Sequence, residues 1–167
     1  MVFVAPSLML LKSNFIILSP LSVLGTILEL TRYVRPICFP PINTKRSFGV
    51  VIGWGRDSYH GEHSKELSDA SVQIYPHTYC QEKLPSYLGF SKDLICGTDP
   101  NGSGTGTCRG DSGGPLFIFN PVTQRHEVLG TVQGSEECGK FNIPDVYVNT
   151  NEESIRFWIT SVLKIAG

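Results

Sequence analysis

From Ser47 onward the chain alternates between short apolar runs and clusters of turn-forming residues. FGVVIGWG (48–55) is a compact β-type run closed by glycines, and the polar loop RDSYHGEHSKE follows it. ASVQIY (70–75) alternates apolar and polar positions, as a half-buried strand must, because successive side chains leave a strand on opposite faces. DLICG (93–97), PLFIF (115–119), HEVLGTVQG (126–134) and PDVYVNT (144–150) read as further strands. PHTYCQEKLP (76–85) predicts a short helix closed by Pro85. The period changes in NEESIRFWITSVLK (151–164), where Ile155, Trp158, Ile159, Val162 and Leu163 share one helical face. Asn151, Glu152 and Glu153 suit the N-terminus of that helix, where exposed N–H groups attract negative side chains. Several short strands and one closing helix predict an all-β antiparallel barrel or sandwich.

The beginning of the chain does not follow this pattern. MVFVAPSLMLLKSNFIILSPLSVLG is apolar, but Lys12 and two prolines interrupt it before any run reaches the roughly 18–20 residues of a membrane span. As a signal peptide it lacks a basic start and carries Lys12 inside its apolar stretch, although SPLSVLG approximates a cleavage site. The other readings are buried strand and a start codon assigned inside a longer gene.

Charge adds an exclusion: 14 Lys+Arg against 15 Asp+Glu leave no electrostatic footprint for nucleic acid or an anionic membrane. The cysteines add a compartment. Cys38, Cys80, Cys96, Cys108 and Cys138 form no CxxC pair and no zinc-type spacing with histidine, so disulfides in an oxidising environment fit better than a metal. Five is odd, so one thiol stays free or pairs outside this polypeptide. Asn101-Gly102-Ser103 is an N-glycosylation triplet in a loop, consistent with secretion.

The chemistry concentrates in TCRGDSGGPLF (107–117). A serine hydroxyl is a poor nucleophile unless a base takes its proton, and its tetrahedral adduct needs donors for the oxyanion. Glycines on both sides of Ser112 let the backbone approach a substrate carbonyl and aim the Gly110 and Ser112 N–H groups at one point. The competing reading is a glycine-rich turn that merely leads into PLFIF.

The surroundings favour the first reading. From about Leu28 to Leu163 the chain resembles the trypsin/chymotrypsin-like serine proteases. The resemblance rests on YVRPICFP (33–40), VIGWGR (51–56), DLICG, TCRGDSGGPLF, VLGTVQG (128–134), PDVYVNT and FWI (157–159), in the family's order. It implies an antiparallel β-barrel, mainly the second of the family's two, with a C-terminal α-helix. It divides the chain into an atypical segment, 1–23, signal-like or mis-predicted, and a partial peptidase domain, 24–167. It makes Ser112 the nucleophile and gives the oxyanion hole the Gly110 and Ser112 N–H groups. It pairs Cys80 with Cys96 and Cys108 with Cys138, and ties Cys38 to an N-terminal chain or pro-region not contained here. A secreted endopeptidase with a protein or peptide substrate, no cofactor and no metal follows from the same likeness.

Departures from the family pattern are equally specific. No Ala-Ala-His-Cys segment exists, and the likeness assigns His60, His63, His77 and His126 to the second barrel and its loops, away from the nucleophile. Where the family writes Asp-Ile-Ala-Leu-Leu, this chain reads LGTILEL (24–30), with Leu24 in the aspartate's place. Asp111 matches the aspartate that a freed N-terminal ammonium pairs with; without it, burial of the bare charge is costly and predicts a zymogen-like loop. Gly106 stands where most trypsin-like members carry the acidic pocket floor, while Asp145 replaces a glycine opposite. Asp145 either reaches the pocket and favours Lys or Arg, or partly fills it and points to solvent. Gly134, in VQG, belongs to an altered substrate-aligning wall, and Arg109 is placed at the pocket rim as a solvated side chain. Three expectations result: an endopeptidase domain incomplete and inactive alone, a non-catalytic homologue acting as a binding or regulatory module, or an unrelated β domain.

Overall fold

A computed structural model describes residues 3–12, 15–22, 29, 31–42, 44–85, 91–135, 137–140 and 142–166. Leu24, assigned to the missing aspartate's place, lies outside the described residues. Strands β1 (Phe3–Lys12) and β2 (Phe15–Ser22) form an antiparallel hairpin, so the atypical N-terminal segment is strand over most of its length.

The remaining six strands close into a barrel in the order β3-β4-β5-β8-β7-β6. They are β3 (Phe48–Gly53), β4 (Ser68–Ile74), β5 (Leu94–Thr98), β6 (Pro115–Asn120), β7 (Arg125–Gly134) and β8 (Asp145–Asn149). Every pairing within it is antiparallel, and Val51 opposite Leu116 closes the ring. The barrel, not the sandwich, is the outcome, and closure leaves no open strand edge in it.

Alternation puts Val51, Ala70, Val72, Leu116, Ile118, Leu129, Val132 and Tyr147 in the barrel's interior cluster. A second cluster forms under the helix α1 (His77–Lys83), where Leu84 packs with Leu94, Val146, Val148 and the Cys80–Cys96 disulfide. Helix α2 (Glu153–Ala166) closes the fold. On its predicted apolar face Ile159 is buried and Ile155 and Trp158 half-buried, whereas Phe157 on the other side is 73% exposed. Arg156 ties α2 to the segment before β3: its Nη2 donates to the Pro40 carbonyl (2.9 Å), and its guanidinium lies 4.5 Å from the Phe39 ring centre.

Two features of this barrel position the site. A bulge on β7 between Val132 and Gly134 faces Tyr147 and Val146 of β8. The loop before β6 is stapled to that bulge by a reciprocal pair, Gly113 N–H to the Val132 carbonyl and Val132 N–H to the Gly114 carbonyl, both 2.8 Å.

Candidate active site

Ser112 sits half-buried at the tip of this stapled loop. Gly110 (φ 104°) and Gly113 (φ 83°) hold left-handed backbone on either side of it, a conformation that side chains resist. Gly114 has a second reason to be glycine, since a Cβ there would stand 2.8 Å from the Asp111 carbonyl oxygen. The turn closes with Asp111 N–H on the Cys108 carbonyl (3.0 Å) and Gly114 N–H on the Asp111 carbonyl (2.8 Å). Among the described residues neither the Gly110 nor the Ser112 N–H has an acceptor, and the Ser112 hydroxyl has no partner. A hydroxyl flanked by two open donors is what acyl transfer through a tetrahedral adduct requires.

Asp111 is not left bare. Its Oδ1 accepts from the Gly55 N–H (2.7 Å) and its Oδ2 from the Cys108 N–H (2.9 Å). The carboxylate fills the space beside Gly53 and Gly55, where Cβ atoms would meet it at 1.9 and 2.2 Å. The glycines of VIGWGR therefore make room for Asp111, and each of its carboxylate oxygens accepts from a backbone N–H.

The placement of His63 corrects the expectation that all four histidines stand away from the nucleophile. A Cβ on Gly110 would lie 2.5 Å from its Cε1, so the ring covers Gly110, two residues before Ser112. Its Nδ1 is 3.4 Å from the Trp54 carbonyl oxygen. The cause is an isolated antiparallel bridge between Arg56 and His63, which folds the polar loop back onto the turn, with Arg56 N–H on the Arg109 carbonyl (3.0 Å). No periodicity marks such a loop, so sequence reasoning had no signal for it. The other three histidines are exposed elsewhere: His60 edges onto Tyr59, His126 packs by Phe117 and Phe119 on the barrel surface, and His77 begins α1. None of the four hydrogen-bonds Ser112.

Asp145 opens β8 opposite Gly97 of β5 and is only 5% exposed, which removes the option of a carboxylate pointing to solvent. Its Oδ2 accepts from the Thr107 N–H (2.8 Å) and stands 2.8 Å from where a Cβ on Gly106 would be. The missing side chain at 106 is thus the space that Asp145 uses. Burial drives its carboxyl up to about 6, against the opposing hydrogen bond from Thr107. Thr107 Oγ1 and the Tyr147 hydroxyl lie against this carboxylate, yet both are buried without a hydrogen-bond partner among the described residues. Burial, with Asp145 beside it, pushes the Tyr147 hydroxyl well above its ordinary value. A cavity of about 230 Å³ between loops 98–105 and 139–143 includes Asp145 in its lining.

The remaining predicted residues frame these centres. Gly134 ends β7 beside Val146. Arg109 is exposed, but its guanidinium stacks 4.9 Å from the Tyr59 ring centre and donates to the Tyr59 hydroxyl (3.3 Å). The Cys108–Cys138 disulfide clamps the Ser112 loop to the 137–140 segment, 30 residues away in sequence. Cys38 is a free thiol, half-buried, held by a bridge to Glu127 and 3.9 Å from Arg125 Nη1.

The family model for trypsin matches residues 11–159. The chain belongs to the trypsin family. That match takes in most of the chain and begins upstream of Leu28. Two curated relatives fit the assignment. The clotting factor G beta subunit of Tachypleus tridentatus is 31% identical over 141 residues, covering 77% of this chain and 44% of that protein. A venom protease of Bombus pensylvanicus is 31% identical over 140 residues, covering 80% of this chain and 55% of that protein. The chain spans about half the length of these curated relatives. Among the described residues no helix is long and apolar enough to cross a membrane.

Proposed function

We propose that this trypsin-family chain carries the nucleophile half of a serine endopeptidase, with Ser112 forming the acyl-enzyme and the Gly110 and Ser112 N–H groups receiving the oxyanion. The observation that supports this most is the pair of open N–H donors beside a free hydroxyl, on a turn fixed by two left-handed glycines and a disulfide. In the reaction a base takes the Ser112 proton as Oγ attacks the scissile carbonyl, and returns it to the leaving amine. No histidine hydrogen-bonds Ser112, which supports a base supplied by polypeptide outside the 167 residues and a chain inactive alone. Asp145 gives the pocket a preference for Lys or Arg, because a buried carboxylate without a paired cation gains most from one. The two disulfides support an extracellular site of action, and Cys38 pairs with the polypeptide that supplies the base.

A second reading, a non-catalytic homologue that binds through the same pocket, is favoured by the histidine positions. Labelling with a fluorophosphonate, which reacts only with an activated serine, separates the two. The 167-residue chain is expected to stay unlabelled, while the product of the native full-length transcript labels at Ser112 and loses the label in Ser112→Ala. A native product that does not label, although folded, supports the binding module instead.

A further inference from the structure

The triplet Asn101-Gly102-Ser103 is absorbed by neither catalysis nor specificity, and the chain contains no other of its kind. The structure puts it on the surface, in the loop between Cys96 and Cys108, with Asn101, Gly102 and Ser103 all exposed. Asp99 organises the loop. Its Oδ1 accepts from the Asn101 N–H (2.8 Å), and its Oδ2 accepts from the Ser103 N–H (2.7 Å), the Ser103 hydroxyl (2.5 Å) and the Thr105 N–H (3.3 Å). Gly102 takes φ 64°, which a side chain would oppose. These bonds hold the backbone and the serine, whereas the Asn101 carboxamide has no partner among the described residues.

We propose that Asn101 is an N-glycosylation site, a reading that rests on the extracellular location proposed above. The donor is an oligosaccharide linked to a polyprenyl diphosphate. Asn101 Nδ2 forms the new bond to the first sugar's anomeric carbon as the carbon–oxygen bond to the diphosphate breaks. The lipid diphosphate leaves with the electron pair, and one Nδ2 proton passes to a base of the transferase. In the folded chain the Ser103 hydroxyl is engaged by Asp99, so the transfer precedes closure of this turn and acts on the emerging chain. Asn101 also lines the cavity that reaches Asp145, so the glycan covers one of that cavity's walls.

The test is translation of the full chain behind a heterologous cleavable signal peptide, in the presence of endoplasmic-reticulum microsomes. This reports transfer to the nascent chain and does not depend on the variant folding. The expected result is a protease-protected product one core glycan heavier, reversed by endoglycosidase. Asn101→Gln and Ser103→Ala abolish the shift, and Ser103→Thr keeps it. A protected wild-type chain without the shift, or a shift that survives Asn101→Gln, overturns the assignment. Repeating the experiment with the natural full-length N-terminus tests the extracellular reading separately: failure to enter the microsomes there counts against location, not against Asn101 as acceptor.

Discussion

Asp99 and Asp145 line the same cavity, yet their carboxyls are driven in opposite directions. Asp99, half-buried at the surface, is held down at about 2, first by the Ser103 hydroxyl and then by backbone N–H groups. Asp145, buried at the start of β8, rises to about 6, because burial outweighs its polar neighbours, the Thr107 N–H first and then the Thr107 and Tyr147 hydroxyls. Donor count and access to water account for the difference. A surface carboxylate ringed by donors organises a loop. A buried one is disfavoured as an anion, and the Lys or Arg side chain proposed above as substrate would offset that. Asp111 shows the intermediate solution, with two N–H donors, one for each oxygen, and a structural role.

The largest effect expected from breaking this contrast is in Asp145→Asn. A carboxyl raised in the folded state stabilises the fold below the unfolded value of 3.8 and loses that contribution as pH rises through about 6. The wild type should therefore lose about 3 kcal/mol across that window, and Asp145→Asn should not. Urea unfolding at pH 4, 6 and 8, with disulfides intact, reads the slope; equal slopes in both proteins contradict the account. The smaller effect belongs to Asp99→Ala. Here the folded value is depressed, so the contribution is present above 3.8 and fades as pH falls towards 2. The variant should be less stable than wild type at pH 7, with the gap narrowing in acid and in high salt, by thermal melts at pH 7 and pH 2.5. A gap unchanged between those two values refutes it.

Much of this molecule was legible in its residues. The six barrel strands and both helices follow from alternation and the 3.6-residue period, within a residue or two at their ends. The order β3-β4-β5-β8-β7-β6 was not, because alternation says which face a residue takes and nothing about its neighbour across the sheet. A barrel and a sandwich alternate alike, so only the family likeness distinguished them. The glycines around Ser112 announced a special turn, and two of them take the left-handed backbone that this implies. His63 escaped notice because a polar loop folds by one isolated bridge, and Asp145's burial because it depends on an absent side chain at Gly106, across the pocket.

The most direct test of the pocket assignment is to titrate benzamidine, a mimic of the arginine side chain, into the chain while following the Asp145 carboxyl carbon by NMR. The account predicts that this carbon titrates near pH 6 in the free protein. It also predicts that benzamidine binds more tightly as pH rises through that value, moves the titration to lower pH, and fails to bind Asp145→Asn. An Asp145 that titrates near 3.8 and does not respond to benzamidine would contradict the claim that its carboxylate awaits a cation.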